Sequence, residues 1–266
     1  MIEYQGRNAL VTGAASGIGA ALAGALARRG ARVFCADRDT EGAKKTAGAI
    51  AGGAQALTCE LTTAGAAAEL IDRVYEIGGH LDLVCSNAGV SHRGRVARTA
   101  FDEDERVSDL WKVNFFAGLK LAQAYARRLD ELAQRGRLLA TASETALSVP
   151  ASIRASRLAF YGATKHALLN AMEWYRIEQE GGPLDLHVLL PGAVYTPLIS
   201  AALPEPSEVP AHFELLMPEE CAEIALRGMD LNLFYIPTQA HILEDMQPRV
   251  SAVAESLRAL GIIGRG

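Results

Sequence analysis

Asn8-Ala9-Leu10-Val11-Thr12 runs straight into Gly13-Ala14-Ala15-Ser16-Gly17-Ile18-Gly19, and the chain continues as the small-residue run 20–29 before Gly30. The first five residues read as a short buried strand and the run after Gly19 as a helix stopped by glycine. A glycine turn between a strand and a helix is the context that makes a glycine pattern a phosphate-binding candidate. Gly13 permits the tight turn, Gly17 lets the backbone approach a pyrophosphate, and Gly19 lets helix and strand pack closely. The turn, with Ser16 and Ile18 in it, leads into a helix N-terminus that offers unpaired N–H groups and a positive dipole end. A glycine turn used only for packing has the same local pattern.

Beyond Gly30 a second apolar strand, 31–36, ends at Asp37, followed by Arg38. An acid at the end of the second strand, roughly 20 residues past the glycines, is placed to accept hydrogen bonds from an adenosine ribose. Asp39 is the better candidate to cap the helix over 41–50, which leaves Asp37 free. A third strand over 54–59 ends in Glu60-Leu61, and a helix over 63–77 closes on Gly78-Gly79. This βαβαβ alternation implies a parallel sheet doubly wound with helices on both faces.

The remaining strands read over 81–85, 137–142, 184–190 and 233–236, which makes about seven in all. The fourth runs into Ser86-Asn87-Ala88-Gly89, small residues that let a cofactor lie close to the backbone. His92, in a polar loop, is expected to be solvated. A long helix over 107–134 carries Asn114, whose amide needs partners inside an apolar segment. The fifth strand ends at Ser143, and the segment 148–160 reads as a loop.

Tyr161 and Lys165 follow, four apart, so on a helix the phenol and the ammonium lie on one face. A free phenol titrates near 10, and a neighbouring cation pulls that value toward the working range, which makes a general acid/base. In isolation the same spacing decorates many solvated helix faces. The sixth strand breaks at Pro191-Gly192, with Val194 and Thr196 just beyond. Prolines interrupt 198–217, and loops of that length are commonly lids or binding loops. Helices over 219–229 and 242–260 complete the chain.

Composition narrows the alternatives. The 266 residues are 50% apolar and 21% charged, enough for one large α/β domain over 1–266, with a loop at 198–217 and a helical tail at 237–266. A net charge of −5 argues against a nucleic-acid groove or attraction to anionic membranes. Four cysteines without Cys-x-x-Cys spacing suggest free thiols, no zinc and no disulfide. No apolar run reaches about 18 residues and no signal peptide is evident, so the expected location is cytoplasmic.

Taken in order, these motifs resemble the short-chain dehydrogenase/reductase family, a Rossmann-fold group, from Arg7 to about Ile236. Thr12-Gly13-x-x-x-Gly17-x-Gly19 is similar to its cofactor turn, and Asn87-Ala88-Gly89 to its Asn-Asn-Ala-Gly signature with Ser86 replacing the first asparagine. Asn114, Ser143, Tyr161 and Lys165 are similar to its catalytic tetrad. The resemblance implies that Ser143 holds the substrate oxygen, Tyr161 passes the proton, Lys165 lowers the Tyr161 pKa and holds the nicotinamide ribose, and Asn114 positions a relay water. It further implies that Glu60 faces the adenine, that Val194 and Thr196 fix the carboxamide, and that the chain is a homo-oligomer, dimer or tetramer, through the helices at 107–134 and 161–180. Ser143 lies farther from Tyr161 than is usual in the family. Ser148 is nearer the usual spacing, but Ser143 directly ends a strand and is preferred.

The expected activity is hydride transfer between NAD(H), preferred over NADP(H) because of Asp37, and a fairly large, mostly apolar secondary alcohol or ketone. Arg154 and Arg157, ahead of Tyr161, either meet a substrate carboxylate or face water. The alternatives are an NADP-dependent 3-oxoacyl-carrier ketoreductase, which needs a basic docking patch, and a non-catalytic NAD(H)-binding regulator or scaffold.

Overall fold

Neighbouring residues on a strand point to opposite faces, and that alternation sorts the apolar strand residues into two cores. In the computed structural model, which describes residues 2–99, 104–201 and 203–264, β1 Asn8–Thr12, β2 Arg32–Asp37, β3 Gln55–Thr58, β4 Leu83–Ser86, β5 Gly136–Thr141, β6 Leu184–Leu190 and β7 Tyr235–Pro237 form one parallel sheet. Leu10, Phe34, Val84, Leu138 and Val188 face one core, and their chain neighbours Val11, Cys35, Cys85, Leu139 and Leu189 face the other.

Helices cover both faces. Leu70 and Val74 of α3 (Ala66–Gly78), Leu121 and Tyr125 of α5 (Gly118–Glu131) and Leu168 and Met172 of α6 (Ala159–Glu178) fill the first core. Leu22 and Leu26 of α1 (Gly17–Arg28) and Cys221 and Leu226 of α8 (Pro218–Asp230) fill the second. The other helices are α2 (Thr40–Ala49), α4 (Glu105–Trp111), the single turn α7 (Pro197–Ser200) and α9 (His241–Ala259). Asp39 caps α2 by accepting the Gly42 N–H at 3.0 Å, so Asp37 is left out of that role.

The strand order is β3-β2-β1-β4-β5-β6-β7. Its direction reverses between β1 and β4, which opens a crevice at their carboxyl ends. That crevice is where the glycine turn and Asn87 meet.

Several expectations need correction. The helix anticipated over 107–134 is α4 and α5 joined by a π-helical turn, Lys112–Ala117. The segment 148–160 contains a 3-10 helix, Ala151–Ser156, and the proline-rich segment contains α7 and two 3-10 turns, Pro206–Glu208 and Ala211–Phe213. His92 is not solvated, because its Nε2 lies 3.2 Å from Asp104 Oδ2 and its side chain is largely covered. Ala202 of the anticipated lid, and Met1, Arg265 and Gly266 at the ends of the anticipated domain, lie outside the described residues.

Candidate active site

At the strand reversal, Thr12 does more than end β1. Its hydroxyl accepts the backbone N–H groups of Asn87 and Ala88, at 3.0 and 3.2 Å, and the Asn87 amide donates back to the Thr12 carbonyl at 3.2 Å. The two strand ends are thereby stapled. Gly13 has φ +67, and a Cβ there would lie 2.8 Å from Ala88 Cα, so only glycine fits. At Gly19 a Cβ would lie 2.1 Å from the Gly13 carbonyl oxygen, which is the close helix–strand approach read from the sequence.

A cleft of about 530 Å³ begins at this staple. Gly13, Ser16, Gly17 and Ile18 line it on one side and Asp37, Arg38, Glu60 and Leu61 lie at one end, while Asn87, Ala88 and Gly89 form part of its wall. Ser143, Tyr161, Lys165, Pro191, Gly192, Val194 and Thr196 also line it. Gly19 and Asn114 are the anticipated residues that do not, one buried beneath the turn and the other behind Val90. Leu198 and Ile199, from the segment 198–217 expected to be a binding loop, line it as well, whereas sequence reasoning missed Val90, Val113 and Thr141, whose apolar or hydroxyl side chains carry no distinguishing pattern.

Asp37 is held at both oxygens: Oδ2 accepts Ala15 N–H at 3.0 Å and Oδ1 accepts Asp39 N–H at 2.9 Å. Arg38 is exposed and stands 3.9 Å from Glu60 Oε2, while Glu60 Oε1 accepts from Thr62 N–H and Oγ1. With Asp39, which also lines the cleft, this end therefore carries three acids and one cation.

At the other end α6 brings Tyr161 and Lys165 onto the cleft. The Lys165 ammonium, 3% exposed, donates to the Thr141 carbonyl at 2.8 Å, and burial lowers its pKa to about 8. The Tyr161 phenol is pushed up to about 12, first by burial and then by the Glu144 charge, with the Ser143 hydrogen bond pulling the other way. The expectation that a neighbouring cation brings the phenol toward the working range is corrected by this: burial is the largest influence and its direction is up, with the Lys165 ammonium 5.7 Å from the ring centroid. Ser143 is buried and lines the cleft; Ser148 is buried elsewhere.

Asn114 owes its direction to the π turn. Its Oδ1 accepts Val90 N–H at 2.8 Å, and its two amide hydrogens go to Val90 O at 2.9 Å and Thr164 Oγ1 at 3.2 Å. The side chain thus braces the chain after β4 against α6. Of the two arginines before Tyr161, Arg154 is exposed, and Arg157, left-handed at φ +60, lines a small surface cavity with Arg93, Arg95 and Arg98. Arg157 joins there three arginines of one short segment, a meeting that the sequence did not make evident.

The cleft suits a dinucleotide. Its glycine wall admits a backbone-close pyrophosphate, a doubly anchored carboxylate stands at one end, and a buried ammonium with a single carbonyl partner stands at the other. The family model described as short chain dehydrogenase matches residues 7–206. The chain belongs to the short-chain dehydrogenase family.

Among relatives of this short-chain dehydrogenase, the 1-deoxy-11-beta-hydroxypentalenate dehydrogenase of Streptomyces avermitilis is 35% identical over 245 residues, covering 90% of this chain and 87% of that protein. Its Streptomyces exfoliatus counterpart is 38% identical over 202 residues, 74% of this chain and 71% of that one. A short-chain dehydrogenase/reductase from Burkholderia phymatum, solved with NAD, shares the fold at TM-score 0.83 with 22% identity over 96% of this chain and 97% of that chain. A bulky-bulky ketone specific alcohol dehydrogenase from Comamonas testosteroni does so at 0.72, with 23% identity over 97% and 95%. As a short-chain dehydrogenase, the protein is an oxidoreductase acting on hydroxyl or ketone groups.

Proposed function

We propose that this enzyme interconverts a bulky, mostly apolar secondary alcohol and its ketone, with NAD(H) preferred over NADP(H). The reading is carried by one observation: Ser143, Tyr161 and Lys165 line the same cleft as Asp37, whose strand β2 is separated from β5 by β1 and β4. When bound, the nicotinamide cofactor supplies or accepts the hydride. Ser143 holds the substrate oxygen by its hydroxyl, and Tyr161 takes the alcohol proton in oxidation or returns it in reduction. Lys165 holds the nicotinamide ribose and gives the phenolate a cation to face. Asp37 accepts the adenosine ribose hydroxyls.

Leu198 and Ile199 support an apolar substrate, since α7 sets them on the cleft just beyond Thr196. The hydroxypentalenate named for the Streptomyces relatives and the bulky ketones named for the Comamonas enzyme favour the same class. The enzyme acts as a homo-oligomer: Phe116 beside α5 and Trp174 and Ile177 on α6 are large apolar side chains left exposed. The test is NADH oxidation, followed at its absorbance band, against bulky alicyclic and aryl ketones. Turnover with several of them and none with short aliphatic ketones is expected; no turnover with any ketone, or with the matching alcohols and NAD, would reject the reading.

A further inference from the structure

His241 opens α9, and a carboxylate oxygen faces each of its ring nitrogens. Nε2 lies 2.8 Å from Glu144 Oε2, and Nδ1 lies 3.1 Å from Glu214 Oε2. A neutral imidazole has one N–H and one bare nitrogen, so only the doubly protonated ring can donate to both.

The two acids belong to different parts of the site. Glu144 follows Ser143 directly, is 5% exposed, and its backbone N–H donates to the Pro191 carbonyl at 2.8 Å. Its Oε2 also occupies space that a Cβ at Gly192 would need. Glu214 lies in the segment after α7, left-handed at φ +47, and its carbonyl accepts from Gln239 Nε2 at 3.4 Å. Gln239, two residues before His241, also accepts Gly192 N–H at 2.8 Å and donates to Ala193 O at 3.0 Å. Farther along α9, Asp245 accepts Ala151 N–H at 3.1 Å and Arg249 donates to Leu147 O at 2.9 Å.

We propose that His241 is a positioning residue: as an imidazolium between Glu144 and Glu214 it fastens the start of α9 to the Ser143 turn and to the segment after α7, and the fastening opens when the ring loses its second proton.

The charges around it agree. Burial pushes the His241 ring down, but its bonds to Glu144 and Glu214 outweigh that and the net direction is up from 6.5. Burial raises the Glu144 carboxyl, with the His241 bond opposing and Asp245 and Glu214 adding to the rise. On α6 the nearby titratable groups are Tyr161, which feels the Glu144 charge, and His166, whose Nε2 faces Arg249 at 3.2 Å. The fastening is complete while His241 is charged and Glu144 ionised. It is lost as pH rises through the raised His241 value, and again as acid protonates Glu144. An unpaired Glu144 would also stand as a bare charge that raises the Tyr161 phenol.

The kinetic consequence rests on the alcohol dehydrogenase reading, whereas the titration does not. Histidine-labelled NMR of the intact protein, with His241→Gln identifying the resonance, is expected to show His241 titrating above 6.5, and Glu144→Gln and Glu214→Gln are each expected to lower that value. With NADH and the best ketone of the panel, wild-type KM should climb as pH passes the measured His241 value. His241→Lys, a cation throughout, should lack that climb, and His241→Gln should have a KM about tenfold above wild type below the His241 value, with the gap closing as wild type climbs, as the loss of a charge-assisted bond implies. A ring that titrates at or below 6.5, or a His241→Gln enzyme with wild-type KM and the wild-type climb, overturns the proposal. Tyr161→Phe run alongside separates the two readings: if it keeps wild-type turnover, the reaction assignment fails while the titration result stands.

Discussion

The Lys165 ammonium stands 5.7 Å from the centroid of the Tyr161 ring and gives its hydrogen bond to the Thr141 carbonyl rather than to the phenol. Both groups are displaced by burial toward their neutral forms, the lysine down to about 8 and the tyrosine up to about 12. At neutral pH the lysine is still mostly charged and the phenol holds its proton. The two side chains therefore lend themselves to separate tests.

Tyr161→Phe removes the proton and keeps the ring. We expect turnover to fall by about 10²-fold or more, the size of effect a positioned acid/base contributes. NADH affinity, measured by its fluorescence on binding, should stay within a few-fold of wild type. Retention of more than about a tenth of the rate would falsify the acid/base role.

Lys165→Met tests the cost of a buried charge. A lysine that titrates at about 8 when folded and 10.5 when unfolded opposes folding at neutral pH, and the penalty is relieved only as pH rises from 8 toward 10.5. The difference corresponds to about 1–3 kcal/mol after the lost Thr141 bond is set against it. The variant should melt higher than wild type at pH 7, with the gap closing toward pH 10, while turnover and cofactor affinity both drop. A lower melting temperature at pH 7 would count against this balance.

Asp37 is expected to set the cofactor preference. Its oxygens are anchored on Ala15 and Asp39, so it cannot swing away from a 2′-phosphate, and the like-charge contact should favour NAD(H) by on the order of 2 kcal/mol, about thirtyfold. Asp37→Ser should gain NADP(H) use if Arg38 leaves Glu60 to meet the phosphate. The readout is kcat/KM with each cofactor, and equal wild-type values would sink the claim.

The exposed aromatic and aliphatic side chains of the α5 and α6 layer predict association. Trp174→Arg combined with Ile177→Asp should convert an oligomer into a monomer by light scattering at micromolar concentration. A wild-type monomer under the same conditions would remove the basis of that expectation.

The elements around Gly13, Asp37, Asn87 and Tyr161 were legible in the sequence because each depends on local rules: a glycine turn between strand and helix, an acid ending a strand, two side chains one helical turn apart. What was not legible depends on distant or three-dimensional facts. Glu144 and His241 are 97 residues apart and meet only because β6, β7 and α9 fold back beside the Ser143 turn. His92 reads as a loop residue until Asp104 is brought to it. The tyrosine's pKa was misjudged because spacing reports which charge is near, whereas the depth of burial is a property of the whole sheet. The longer gap between Ser143 and Tyr161 contains the 3-10 helix at Ala151–Ser156, and the serine two residues beyond β5 lines the cleft.

The π turn at Lys112–Ala117 amounts to a helix with one residue too many, and its effect is one of phase. Each residue advances an α-helix by about 100°, so a surplus residue lets α4 and α5 present differently oriented faces along what is otherwise one rod. Asn114 sits inside that offset and points back toward Val90 and Thr164, while α5 downstream keeps Leu121, Tyr125 and Leu129 against the sheet. Deleting Phe116, an exposed residue of the turn, should restore regular hydrogen bonding yet rotate Asn114 out of its brace. The enzyme would then have a more regular helix and a less ordered floor beneath Tyr161. The irregularity is what allows a single helix to serve the core and the site together.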